Sequence, residues 1–345
     1  MRYSNLRKIH LLALSMFALI ATSCGILTDQ GFIVFVTGNE GDRDIAVIRP
    51  DGTDYQLIIG HEADDFAPVW SSDGRRLAYL SNRDGNVEVY VTLVIDSKGD
   101  FSQELSMRVT NTGVDETEVI WSPDGKRVAY VSPDGMNNSH LYWVDLDSLR
   151  PNRLIFDKYA EIDPAWSPSG EWISFTVLDS EGTSQGIFMR NPGGVNSLQV
   201  TQTADYSSTW SPDGKKLAFV SKRDGNSEIY IVDVGQDGSF SQTLNITNNP
   251  ANEWSPVWSA DSKRIVFLSD RAESADIFIV SVEGGEALPL TANTLSESEL
   301  VFGPTNSLVF NSDPNDKPDL FVLNINSLEQ HRLTKNSVPN THPDW

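Results

Sequence analysis

Six carboxylates recur at one place in this chain: Asp65, Glu116, Glu161, Asp205, Glu253 and Glu297 each stand five residues before an aromatic, with Asn340 in the seventh place. Carboxylates brought together can hold a hard cation such as Ca²⁺ through oxygen, attract a basic segment, or divide acid and base roles between them. A second series holds Arg83, Arg223 and Arg271, whereas Asp134 and Asp179 occupy the equivalent positions of two other repeats, so three arginines face eight acids. Two carboxylates about 10 Å apart repel by roughly 0.4 kcal/mol in water, so a solvated ring of them is tolerable with no ligand at all. Two readings therefore stand side by side. Each acid caps the turn into its strand or pairs with an arginine of a neighbouring repeat, or the surplus focuses negative potential on a basic peptide or a divalent cation.

Other chemistry is poorly provided for. No G-x-S-x-G, H-E-x-x-H or G-x-x-x-x-G-K stretch is present. The single Cys excludes a disulfide framework and Cys-based zinc sites, and five His make a multi-His centre an unfavourable reading. His61, His140, His331 and His342 fall at dissimilar places in their repeats and read as surface residues, with only His342 close to the acidic series. No catalytic residue and no cofactor is assigned, calcium in the acidic ring being the one cation the pattern would suit. With 48 Asp and Glu against 26 Lys and Arg the formal charge is −22, which disfavours nucleic acid and acidic lipid surfaces as partners.

The elements that would position these residues follow from an internal repeat. Trp occurs at 70, 121, 166, 210 and 258, then Phe302 and Trp345 in equivalent contexts, at spacings of 51, 45, 44, 48, 44 and 43. A period in the forties, rich in turn residues and β-formers, fits one four-stranded sheet per repeat. Each aromatic leads into a turn such as Trp121-Ser122-Pro123-Asp124-Gly125, where Pro presets φ and Gly takes the left-handed position that closes a hairpin. Strand two follows at Leu77 to Ser81 and its counterparts, then turns such as Asn82-Arg83-Asp84-Gly85-Asn86, then strand three, then a short strand ending in pairs such as Val109-Thr110 and Ile246-Thr247. From the second residue of that pair to the next aromatic is 11 residues for Thr110, Thr247, Thr291, Thr334, Ile59 and Ile155.

The W-S-P-D-G turn with the S-x-R-D-G-N-x-E-[IV]-Y segment after it resembles the repeat of TolB-like β-propellers, and the resemblance covers nearly the whole chain beyond its leader. It implies an all-β fold, and counting units gives a seven-bladed β-propeller of four-stranded antiparallel blades. Six blades are complete. The seventh is expected to combine Phe32 to Thr37, Asp44 to Arg49 and Gln56 to Ile59 with Thr341 to Trp345 as its inner strand, closing the ring and removing exposed edges. The tryptophans read as packing between blades. The six acids are expected to ring one mouth of the central channel, with the arginines on the same face. Two longer connections, Asp96 to Gln103 and Gly235 to Gln242, share a pattern ending F-S-Q on the opposite face, and Phe101 and Phe240 read as pinning their own loops.

Residues 1–23 read as an export signal: Arg2, Arg7 and Lys8 precede a 13-residue apolar run from Ile9 to Ala21, too short for a stable membrane span. Ala21-Thr22-Ser23-Cys24 resembles a bacterial lipobox, which implies acylation of Cys24, a short tether over 24–30 and a single propeller domain over 31–345. The expectation is a monomeric, non-enzymatic module of the cell envelope. It would bind a protein or peptide, a basic one suiting the acidic ring, and touch membrane only through its lipid. The rival is a propeller enzyme acting on glycans, a lyase or hydrolase with an acidic or calcium-assisted site.

Overall fold

The computed structural model describes residues 31–345 apart from 96–98, 103–105, 135–137, 155–158, 195–196, 203, 236, 273 and 314–316. The leader, the tether and Cys24 lie outside the described residues, as do Ile155 and both ends, Asp96 and Gln103, of the first long connection. Among the described residues no helix is long and apolar enough to cross a membrane.

Strand two of each repeat is a continuous apolar run, as in Leu77-Ala78-Tyr79-Leu80 and Ile265-Val266-Phe267-Leu268, and is buried on both faces. Only a strand covered on both sides by further sheets suits such a sequence. Seven antiparallel sheets of four strands supply that cover. Blade one is Asp65–Trp70, Arg76–Ser81, Glu88–Leu93 and Met107–Arg108 from the axis outward, and blades two to six repeat this order, with innermost strands Glu118–Trp121, Ala160–Trp166, Asp205–Trp210, Glu253–Trp258 and Glu297–Phe302. Blade seven takes its innermost strand, Asn340–Asp344, from the end of the chain and the rest, Ile33–Asn39, Asp42–Ile48 and Gln56–Ile59, from the beginning. The innermost strands touch their neighbours in cyclic order, the last against the first. The ring is closed as the repeat count requires.

The apolar interior is divided into seven clusters, each shared by two consecutive blades, such as the blade-four and blade-five set of Ile231, Trp258, Phe267 and Val280. Trp121, Trp166, Trp210 and Trp258 are buried there, and Trp70 is half-buried. The indole N–H of Trp121, Trp210 and Trp258 crosses to a main-chain carbonyl of the preceding blade, Val69, Ala165 and Thr209 respectively. The outermost strands are only two to four residues long, which leaves little edge for another chain to pair with.

The first turn of each blade is held by its own signature residues. Ser122 Oγ donates to Asp124, accepts from the Arg127 N–H at 2.9 Å, and Gly125 sits at φ +64°. Where Gly is missing, Ser262 and Asn306 take the left-handed conformation. Blade six has Gly303 in place of the serine, and the reason lies in the closure: a methyl group there would stand 1.9 Å from Cε3 of Trp345. Gly303→Ala is expected to lower stability by about 1–3 kcal/mol through overpacking. Denaturant unfolding of the double variant with Trp345→Ala should recover part of that loss if the indole is the obstacle.

Candidate functional site

The six acids that the repeat singles out do not line the channel. Asp65, Glu116, Glu161, Asp205, Glu253 and Glu297 are all at most 2% exposed, turned into the seams between blades. Asp65, Asp205 and Glu253 accept from Arg83, Arg223 and Arg271 of their own blade at 2.6, 2.5 and 2.9 Å. Glu116 accepts from Thr112 and Ser132, Glu161 from His140 and the Leu141 N–H, and Glu297 from Asn293 and Thr291. Burial pushes the carboxyls of Glu116 and Glu297 up to about 7 and that of Glu253 to about 8, the neighbouring carboxylates Glu88, Asp276 and Glu228 adding to the shift. Burial also raises Glu161 and Asp205, against the opposing hydrogen bonds from His140 and Ser221. The three arginine pairs form within a blade, whereas His140 reaches Glu161 across the seam between blades two and three, and Arg43 of blade seven pairs with Asp64 at the start of blade one.

The three arginines are equally committed. Each guanidinium lies over two aromatic rings of its own blade: Arg83 over Tyr79 and Tyr90, Arg223 over Phe219 and Tyr230, Arg271 over Phe267 and Phe278. Those rings face each other across strands two and three at 5.7 to 6.1 Å. The rest of the R-D-G-N-x-E-x-Y segment closes the same clamp. Asp84 and Asp224 accept from the Tyr90 and Tyr230 hydroxyls, and Asn86 and Asn226 donate to Glu88 and Glu228. The most recognisable stretch of the sequence is thus a structural lock, with cation–π and ion-pair contacts made by one side chain.

On the innermost strands, which stand nearest the axis, the residue three before each aromatic is Ala67, Glu118, Asp163, Ser207, Ser255, Glu299 or His342; Ala67 is buried in the cluster shared by blades one and two. In six of the seven innermost strands this residue opens a β-bulge with φ between +50° and +53°, two residues opposing one central aromatic of strand two; Glu118 sits in a regular strand. Successive members of this set bond around the ring. The Asp163 N–H donates to Glu118 Oε2 at 3.1 Å, Ser207 Oγ donates to Asp163 Oδ2 at 3.2 Å, and the His342 N–H donates to Glu299 Oε2 at 2.7 Å. Desolvation, and then the nearby Asp163 charge, hold the Glu118 carboxyl well above the usual carboxylate range. His342 meets Thr341 Oγ1 through Nδ1 at 3.0 Å and Glu299 Oε1 through Nε2 at 3.5 Å, so both ring nitrogens are engaged.

The sequence carried a signal for these bulges. Pro68, Pro164, Pro256 and Pro343 stand two residues before their aromatics, and proline within a strand belongs at a free edge or a bulge. His140 departs from the surface reading, fully buried between Glu161 and Asp134, and His342 is half-buried on the innermost strand of blade seven; His61 and His331 are exposed, as that reading expects, His331 Nε2 bonding the Pro50 carbonyl at 2.7 Å. Phe101 and Phe240 pin their connections onto the preceding blade, against Phe32 at 5.2 Å and beside Trp172 respectively. Among the described residues no group of three or more His, Cys, Asp or Glu is arranged to hold a metal ion.

Residues 199–304 match the profile of the TolB beta propeller domain family. A protein TolB homolog from Chlorobium luteolum is 32% identical over 168 residues, 47% of this chain and 35% of that protein. Dipeptidyl-peptidase 5 from Porphyromonas gingivalis is 27% identical over 215 residues, 57% of this chain and 29% of the enzyme. The chain thus spans about a third of the length of these curated relatives. Crystalline TolB from Acinetobacter baumannii shares the fold, with a TM-score of 0.60 at 20% identity over 93% of this chain and 68% of that one. The matched stretch covers blade four, blade five and the innermost strand of blade six, and the same clamp residues recur in blade one, so the chain is similar to the TolB beta propeller domain over that stretch and has the fold of a seven-bladed β-propeller throughout its described residues.

Proposed function

We propose that this protein is an exported propeller, anchored through a lipid on Cys24, that binds a basic protein or peptide segment of the cell envelope and catalyses no reaction. The observation that supports the reading is the acidity of the innermost strands: Glu118, Asp163 and Glu299 bring carboxylates to them, Glu118 and Glu299 are partly exposed, and no Lys or Arg stands among the seven positions three before the aromatics. A lysine or arginine entering there gains charge-assisted hydrogen bonds worth about 1.5–3 kcal/mol each. Because the Glu118 carboxyl is held high, an arriving cation ionises it and binding releases a proton, so affinity rises with pH.

Short peptides with one central arginine, titrated against the full chain, test the site. Glu118→Gln with Glu299→Gln is expected to weaken binding by about tenfold or more, whereas Asp65→Asn is expected to change melting rather than affinity. Equal affinity for parent and double variant rejects the axial site. Anchorage is tested separately by acyl labelling, and a Cys24→Ser protein that stays in the membrane fraction rejects the lipid.

A further inference from the structure

Each seam between blades sets a residue of strand three in one blade against the acid five before the aromatic in the next. At three seams the pair is one donor and one acceptor or carries its own donor. His140 Nδ1 meets Glu161 Oε2 at 3.0 Å, Asn340 Nδ2 donates to Asp319 Oδ1 at 3.4 Å, and Ser184 Oγ donates to the Asp205 carbonyl at 2.5 Å. Elsewhere both members are acids, and the seams between blades one and two and between blades four and five define the case most sharply. Glu88 Oε1 accepts from Asn86, Arg108 and the Thr112 N–H with the Thr110 hydroxyl also beside the carboxyl, and Glu116 Oε1 accepts from Thr112 Oγ1 and Ser132 while its Oε2 is buried without a donor. Glu253 Oε1 accepts from Ser269 and Arg271, and its buried Oε2 lacks a donor beside Glu228, whose own Oε2 accepts from Thr247 Oγ1. A buried carboxylate oxygen with no donor is costly, and one beside a second carboxylate more so.

We propose that each of these two seams traps one proton between its carboxyls, Glu88 with Glu116 and Glu228 with Glu253, and that releasing those protons in mildly alkaline solution loosens the ring at both places. The trapped proton supplies the donor that His140 and Asn340 supply to the carboxylates of Glu161 and Asp319 at two other seams. A metal ion fits less well. Arg108 and Arg271 already stand 2.8 and 2.9 Å from Glu88 and Glu253, and Ca²⁺ requires six to eight oxygens.

The charged and titratable groups facing the first pair are Arg108 from the outer strand, Asp84 and Tyr90 beyond it, and Tyr130 from strand two of blade two. The second pair faces Arg271 of blade five, with Asp224, Tyr230 and Arg223 on the blade-four side. Burial raises Glu116, whereas Glu88, although buried, is held below its ordinary value by hydrogen bonds from Thr110, Arg108, Asn86 and the Thr112 N–H; the proton therefore resides on Glu116. Glu116 and Glu253 titrate near 7 and 8 in the folded chain against an ordinary 4.5. The folded chain thus holds more protons than the unfolded one across that interval. The contribution is complete below about pH 4.5 and is lost as pH rises through about 7 to 8.

The test is the melting temperature of the full chain at a series of pH values, for the parent and for Glu116→Gln with Glu253→Gln, whose amides supply a permanent donor. The parent should lose melting temperature from about pH 4.5 to about pH 8 and level off above, and the double variant should lose distinctly less. Equal slopes, or a flat parent, overturn the proposal. Infrared difference spectra of the parent provide an independent reading that survives poor folding of the variants. A protonated-carboxyl band at neutral pH that vanishes on mild alkalinisation supports the trapped proton, and its absence overturns it. Stabilisation of the parent by added calcium in alkaline solution, abolished by the same substitutions, would assign the seams to a cation instead.

Discussion

Arg83→Ala is expected to cost about 3–5 kcal/mol of stability, because it leaves the Asp65 carboxylate buried with its charge unpaired. Asp65 is fully buried, the guanidinium is held at 2.6 Å, and the same side chain covers Tyr79 and Tyr90 and accepts no substitute from solvent. Arg83→Lys keeps the charge but loses the planar stack and the second bond from Nε to Ser81 Oγ at 2.9 Å, so an intermediate loss is expected. The double variant Arg83→Ala with Asp65→Asn should recover much of the difference, since the buried charge goes with its partner. Denaturant titration measures all three. If Arg83→Ala melts like the parent while losing a ligand, the clamp has been misassigned and the arginine belongs to a recognition surface.

Ending the chain at Pro339 is expected to abolish cooperative unfolding altogether. The lost residues form the innermost strand of blade seven, and Asp344 Oδ2 within it accepts the Trp70 N–H of blade one at 2.7 Å, so one deletion removes both a sheet edge and a seam. It uncovers the pairing edge of Ile33–Asn39, whose first five residues are almost wholly apolar and buried. Exposed edges of that kind associate. A rearranged chain carrying residues 336–345 ahead of residue 31 should melt cooperatively again, because Trp345 already lies against Gly31. Calorimetry and size-exclusion chromatography of the shortened and rearranged chains decide the matter. A shortened chain that melts as a monomer at the parent temperature would show that closure contributes nothing.

The architecture was legible because it rests on residues whose local role is narrow. Trp121-Ser122-Pro123-Asp124-Gly125 permits little besides a tight hairpin, and the even spacing of such turns leaves only a ring of sheets. The strand missing from the unit over residues 32–59 and the surplus strand at the end could be matched by counting alone. The site was less legible, for a reason of phase. On a regular strand Asp65 and Ala67, two apart, point to one side, so acids at the mouth were a fair expectation. The bulge at Ala67-Pro68 inserts one residue and separates them, turning Asp65 into the seam. Pro68, Pro164, Pro256 and Pro343 marked the place, but the frequency of acids drew more notice than the recurrence of proline. The aromatic pairs Tyr79–Tyr90, Phe219–Tyr230 and Phe267–Phe278 were visible as periodic residues too, yet their purpose emerges only once strands two and three are side by side.

The extra residue in each innermost strand separates two tasks that a flat strand would fuse. Adhesion between neighbouring sheets uses chiefly the side chains before it and after it, to which the inserted position adds only single contacts such as Ser207 to Asp163 and His342 to Glu299. Its occupants across the circle, Ala67, Asp163, Ser207, Ser255, Glu299 and His342, agree in backbone shape and in nothing else. The lumen can accordingly be rewritten one residue at a time, from acid to base or from polar to apolar, while the walls that enclose it stay as they are.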